Sequence, residues 1–208
     1  MKRPPTSHER AAGQAWDASY QQGPAPWELG RPQAAIARLA AAGAFVGPVL
    51  DCGCGSGAHA LALAERGIEV LGVDVAETAL ARARQEAAAR GLSVEFARAD
   101  ALNLAPLGRQ FRTVLDSGCF HTFDSEEQLR YAASLAAVTE PGGKAYVLCF
   151  SDQGSDLGPH PIGEADLRRA FHPPRGWELS ALEPERIEAR IRAEAFPAWL
   201  ATLLRLPG

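Results

Sequence analysis

The sequence predicts an α/β fold, a mostly parallel sheet doubly wound with helices on both faces. Three observations predict it. Short apolar runs alternate with longer helical stretches from residue 33 onward, and four of those runs end at or just before an aspartate. The first run ends in Asp51-Cys52-Gly53-Cys54-Gly55-Ser56-Gly57, with glycine at every second position, as where a strand stops, turns tightly and starts a helix. Ligands of such sheets bind beyond the carboxyl ends of the strands, so Asp51, Asp74, Asp100 and Asp116 are expected on one rim.

Each element has its own warrant. About ten polar residues come first and are expected to be mobile; Ala11 to Pro32 is too rich in Gly and Pro for one regular helix and reads as a covering segment. Gln33 to Ala42 suits a helix closed by Gly43, and Val46 to Leu50 the first strand. Ala58 to Arg66 is helical up to the Gly67 cap. Ile68 to Val73 is nearly all apolar, as a strand buried on both faces must be, and Glu77 to Arg90 is a strong helix former. Ser93 to Ala97, Phe111 to Leu115 and Lys144 to Phe150 continue the strands, with Glu126 to Val138 and Glu164 to Phe171 as helices and Trp177 to Leu182 as a further strand. From Ile187 to Phe196 apolar and charged residues alternate strictly, which predicts a half-exposed antiparallel strand.

The chain has 208 residues, 47% of them hydrophobic, a size one domain accounts for. We expect a single domain over 1–208, with residues 1–32 as tail and cover and 33–208 as core. A formal charge of -4 and no basic cluster argue against nucleic acid as a partner. No run approaches the roughly 20 apolar residues of a membrane span, and Met1-Lys2-Arg3-Pro4-Pro5 lacks the apolar centre of a signal peptide. These features predict a cytoplasmic protein, monomeric or homodimeric, acting on a small molecule. Cys52, Cys54, Cys119 and Cys149 lack the paired spacing of zinc sites, so reduced thiols and no metal are expected.

Asp74 closes the second run at the place where an acid binds the ribose hydroxyls of an adenosine, and Asp100 follows the third run, where it can meet an adenine amino group. Both dinucleotides and S-adenosylmethionine fit such a turn. Asp51 favours the second: a carboxylate two residues before the first glycine suits a cationic ligand and sits poorly beside a pyrophosphate.

Taken together, the Asp51–Gly57 turn, Asp74, Asp100, Asp116 and Pro141-Gly142-Gly143 resemble the ordered motifs of class I S-adenosylmethionine-dependent methyltransferases over residues 33–196. The resemblance implies a Rossmann-like seven-stranded sheet whose last strand is antiparallel. It also implies that Asp51 lies near the methionine end of the cofactor, that Gly53, Gly55 and Gly57 pack against it, that Asp74 with Val75 holds the ribose, and that Asp100 and Ala101 border the adenine. Asp116 and Ser117 complete the cofactor set. Trp16-Asp17-Ala18-Ser19-Tyr20 with Pro26-Trp27-Glu28, and Ser117-Gly118-Cys119-Phe120-His121, are similar to the small-molecule branch that includes halide, thiol and thiopurine methyltransferases and bacterial enzymes acting on heterocycles. There Trp16 and Trp27 are implied to cover the cofactor.

An electron-rich ring attracts a desolvated cation by roughly 0.5–2 kcal/mol, so aromatic residues in the cover suit a sulfonium. Methyl transfer to a halide, thiolate or phenolate needs no base, whereas a neutral hydroxyl or ring nitrogen benefits from one. His121 is the first candidate, with Tyr20, Asp116 and His160 behind it. The expected activity is S-adenosylmethionine-dependent methyl transfer to an aromatic or heterocyclic hydroxyl or nitrogen, a thiol or a halide. The alternatives are a nicotinamide-dependent oxidoreductase and a non-catalytic cofactor-binding protein.

Overall fold

A computed structural model describes residues 3–154, 159–191 and 193–208. Seven strands form one sheet: β1 (Val49–Cys52), β2 (Val70–Asp74), β3 (Glu95–Arg98), β4 (Phe111–Ser117), β5 (Thr139–Phe150), β6 (Trp177–Ile187) and β7 (Phe196–Arg205), in the order β3-β2-β1-β4-β5-β7-β6. The first five pair in parallel, and β7 runs antiparallel to both β5 and β6. The order reverses between β1 and β4, and the crevice at that switch point is where such a sheet binds ligands.

Side chains alternate across the strands, so Val49 and Leu115 join helices α2 (Ala34–Ala41), α3 (Ala58–Ala64) and α4 (Glu77–Ala89) on one face. Leu50, Cys52 and Val114 face the other way, toward α5 (Ser125–Val138) and α6 (Glu164–Ala170), where Tyr131 and Trp177 are fully buried. Cys52 and Cys54 lie in these two separate cores, so they do not converge on one ion. Among the described residues no group of His, Cys, Asp or Glu is arranged to hold a metal, and no helix is long and apolar enough to cross a membrane.

Two expectations need correction. Of the first residues, expected to be mobile, Ser7–Ala12 forms helix α1, because Thr6 and Glu9 close a capping box and Gly13 ends the helix in the left-handed region at φ +65°. The alternating run is not a strand. β6 ends where it begins, at Ile187, and β7 starts where it ends, at Phe196; Arg192 lies outside the described residues. Ile187, Ala189 and Ile191 instead line a cavity, so the period of two marks a rim segment with one apolar side.

The cover is clasped on both flanks of the switch point. Ser7 donates through its N–H (2.8 Å) and its hydroxyl (2.5 Å) to Glu127 at the start of α5. Asp17 accepts from the Thr78 N–H at 2.7 Å at the start of α4, and Arg82 of α4 donates to the carbonyls of Gly23 and Tyr20.

Candidate active site

Under the cover lies a cavity of about 580 Å³ at the carboxyl ends of β1, β2 and β4. Trp16, Tyr20, Trp27, Gly53, Gly55, Asp74, Val75, Asp100, Ala101, Ser117 and His121 line it. Asp51, Gly57 and Asp116 do not.

The glycine turn forms the floor, and every N–H of it is engaged. Gly53 and Cys54 donate to the Val73 carbonyl and Gly57 to that of Cys54, while Gly55 donates to Asp74 Oδ2 at 2.9 Å and Ser56 to Glu28 Oε1 at 3.0 Å. A pyrophosphate would meet two carboxylates where a dinucleotide site offers free N–H groups, so the floor rejects the nicotinamide alternative. Gly53, with φ +75°, is bare toward the cavity, and a Cβ there would lie 3.2 Å from Cys119 Sγ. Gly57 has a different reason: a Cβ would come within 2.9 Å of Phe96, so this glycine lets α3 sit on the sheet.

Asp74 holds both carboxylate oxygens at the rim, Oδ1 on the Ala76 N–H and Oδ2 on that of Gly55, leaving lone pairs for two hydroxyls. Asp100 accepts the Leu102 N–H at 3.0 Å and borders the cavity beside Ala101. A floor whose N–H groups are already taken, a fixed acid and a second acid farther along fit an adenosyl group. The cover supplies three rings: Trp16 meets Trp27 edge-on at 5.6 Å, and Tyr20 meets Trp27 at 6.0 Å.

Asp51 is corrected. Its side chain turns under the floor, where Oδ2 accepts the Ala60 N–H at 3.1 Å and the residue is 1% exposed. Burial, with the Asp74 and Asp116 carboxylates nearby, pushes it up to about 7. Glu28, from the cover, is the carboxylate that borders the cavity beside the turn. Nothing in the sequence but its place beside Trp27 marks it.

Asp116 is likewise a structural acid. Its oxygens accept the N–H groups of Cys119 and Phe120 at 2.8 and 2.9 Å, folding the loop after β4, and burial pushes it up to about 7. Tyr20 accepts Trp27 Nε1–H at 3.1 Å, and burial beside Asp74 pushes its hydroxyl well above the usual range, so it stays protonated. His160 sits behind the cover, 3.4 Å from Ser7 Oγ, and is not among the lining residues.

His121 is in the cavity wall but cannot be a base. Its Nδ1 accepts the Phe150 N–H at 3.0 Å, which places the ring's proton on Nε2, and its ring stacks on Phe150 at 4.2 Å. Burial, with His8 and His160 nearby, lowers its pKa to about 3. Nε2–H has no partner among the described residues and borders the cavity beside Gly118. It is a hydrogen-bond donor.

The fold and floor thus define an adenosyl-binding α/β protein with a hydrogen-bond donor, His121, in the cavity wall. The methyltransferase-domain family matches residues 49–143. The chain is 39% identical over 168 residues to the 2-heptyl-1-hydroxyquinolin-4(1H)-one methyltransferase of Mycobacteroides abscessus, covering 79% of this chain and 73% of that one. It is 27% identical over 169 residues to the probable thiol methyltransferase 2 of Arabidopsis thaliana, covering 79% and 74%. A structure solved in work on the conversion of a disulfide bond into a thioacetal group during echinomycin biosynthesis superposes with a TM-score of 0.83 at 35% identity, covering 92% of this chain and 91% of that one. The chain belongs to the methyltransferase family, and it is an S-adenosylmethionine-dependent methyltransferase for small molecules.

Proposed function

We propose that this methyltransferase acts on the ring hydroxyl of a flat aromatic heterocycle, as a single-domain cytoplasmic enzyme, monomeric or homodimeric, with no nucleic acid partner. The observation that carries the reading is the donor at the acceptor end. His121, whose Nε2–H is unused by the described residues, lines the cavity together with Phe150, Phe196 and Ile187, apolar residues that suit a flat ring bearing one oxygen. The hydroxyquinolone relative supports the same substrate class.

When bound, S-adenosylmethionine supplies an electrophilic methyl group. Asp74 and Val75 hold the ribose, Asp100 and Ala101 the adenine, and Gly53, Gly55 and Ser117 leave room for the methionine portion. Trp16, Tyr20 and Trp27 close the site and exclude water, which strengthens every charge contact inside. His121 orients the acceptor oxygen by one hydrogen bond, a part of the positioning of acceptor against methyl that as a whole is worth on the order of 7–11 kcal/mol where alignment is good.

The test is radiolabelled methyl transfer with hydroxyquinolones, phenols, thiols and iodide. Hydroxyquinolones should give the highest kcat/KM; turnover confined to thiols or iodide overturns this reading.

A further inference from the structure

A neutral hydroxyl must lose its proton as the methyl arrives, yet the rim supplies no base. His121 keeps Nδ1 on the Phe150 N–H, Tyr20 is a protonated phenol, and Asp116 is sealed beneath the loop. Glu28, Asp74 and Asp100 belong to the cofactor half and hold backbone N–H groups.

His59, which also lines the cavity, keeps Nε2 on the Gln33 N–H at 3.3 Å. The cover holds the remaining candidate. His8, on α1, lines the same cavity, stacks flat on Trp16 at 4.5 Å and 19°, and hydrogen-bonds to nothing among the described residues. It shares that cavity with His121, whose pKa its imidazole helps to lower. This reading rests on the hydroxyl acceptor proposed above. We propose that His8 is the general base of methyl transfer, taking the proton of a hydroxyl that His121 Nε2–H orients.

The charges around His8 fit that task. Burial lowers its pKa and His160 adds to this, while Glu9 on its own helix opposes them; the Glu9 carboxylate is largely occupied by Arg3 and the Thr6 N–H. Across the clasp Glu127 is held by Ser7 and Arg10. The ring is therefore unprotonated at neutral pH and free to accept. In the step, the O–H bond breaks and its proton goes to a His8 ring nitrogen. The oxygen pair forms the O–CH3 bond as the S–CH3 pair returns to sulfur, and imidazolium gives its proton to water after the cover opens.

The test is a series of hydroxyquinolines and phenols whose ring substituents span a wide range of hydroxyl acidity. His8→Phe keeps the ring stacked on Trp16 and removes the base; His8→Gln is the second variant, and calorimetry with S-adenosylhomocysteine checks both for an intact site. Expected is a loss of kcat/KM of about 10²-fold for the least acidic hydroxyls, shrinking as the hydroxyl becomes more acidic, in line with general-base contributions. For a weakly acidic hydroxyl the low-pH limb should also move from the imidazole range up to the pKa of the hydroxyl. A uniform loss across the series makes His8 a cover anchor and overturns the proposal, as does no loss. A wild type that methylates no hydroxyl at all overturns the underlying reading too.

Discussion

The Phe150 N–H donates to His121 Nδ1 at 3.0 Å, and this bond decides what the histidine can do. A nitrogen that accepts a backbone N–H cannot also take a substrate proton, and the other nitrogen then carries the ring's hydrogen. Proton transfer and oxygen orientation are thereby assigned to different side chains.

The tautomer can be observed directly. Nitrogen chemical shifts of labelled protein should show His121 neutral, protonated at Nε2 and bare at Nδ1, from pH 8 down to pH 5, because its pKa is lowered to about 3 by burial. A His121 titrating near 6.5 would refute the assignment.

Asp74→Ala should weaken S-adenosylhomocysteine binding by about 10²- to 10⁴-fold, since hydrogen bonds to a charged group are worth about 1.5–3 kcal/mol each and two hydroxyls lose theirs. Far-ultraviolet circular dichroism should be unchanged. Calorimetry reads the affinity, and an unaltered Kd would remove Asp74 from the ribose site.

Asp51 makes stability depend on pH in an unusual direction. Its pKa rises from 3.8 unfolded to about 7 folded, so the folded state binds the extra proton between those values. The stability this contributes is present below about pH 4 and is lost as pH rises through 7. Asp51→Asn cannot ionise. Its Tm relative to the wild type should therefore climb between about pH 4 and pH 7 and level off above, by an amount worth about 2–4 kcal/mol over the full range. A constant difference would show that Asp51 is ionised in the folded protein.

Gly57 and Gly72 both face Phe96 but for different reasons. A Cβ on Gly72 would sit 2.7 Å from the ring, in a backbone conformation open to any residue, whereas Gly57 has φ +84° as well as the 2.9 Å contact. Gly72→Ala should cost about 1–3 kcal/mol and be largely recovered by Phe96→Leu; Gly57→Ala should not be recovered by it. Denaturant midpoints of the four variants separate the two causes.

Glu28→Gln should loosen the cover, because Ser56 and Ala25 both donate to that carboxylate, at 3.0 Å each. Exchange at the Ser56 amide should accelerate, and limited proteolysis should cut first within residues 13–33. Unchanged exchange would mean that the clasps at Glu127 and Thr78 suffice.

The β-α alternation, the glycine turn and Asp74 were legible because each follows from a local rule: apolar runs for buried strands, glycine for positive φ, an acid at a strand end. The rest depended on direction. Asp51 and Asp116 occupy the expected positions, but side chains alternate across a strand, and these two turn into helix starts rather than into the cavity. The run starting at Ile187 has the period of a strand, but Ile187 pairs with Phe196 at the ends of β6 and β7, so the residues between them form the connection and not a strand. Phe196 to Arg205 is apolar enough for a strand, yet the alternation ahead of it carried the stronger pattern. Helix α1 was readable from Thr6 and Glu9 three residues apart, a signal hidden in a polar stretch. Glu28 had no signal of its own, since the partner that brings it to the glycine turn, the Ser56 N–H, is far along the chain.

The clasps at Glu127 and Thr78 tie an early stretch of chain to two helix starts and leave the sheet untouched. Glu28 is where that stretch bears directly on the glycine turn, through the Ser56 N–H. Any shift of the roof on its two anchors is therefore transmitted to the turn through one carboxylate, and the mouth of the cavity and its floor move as linked parts.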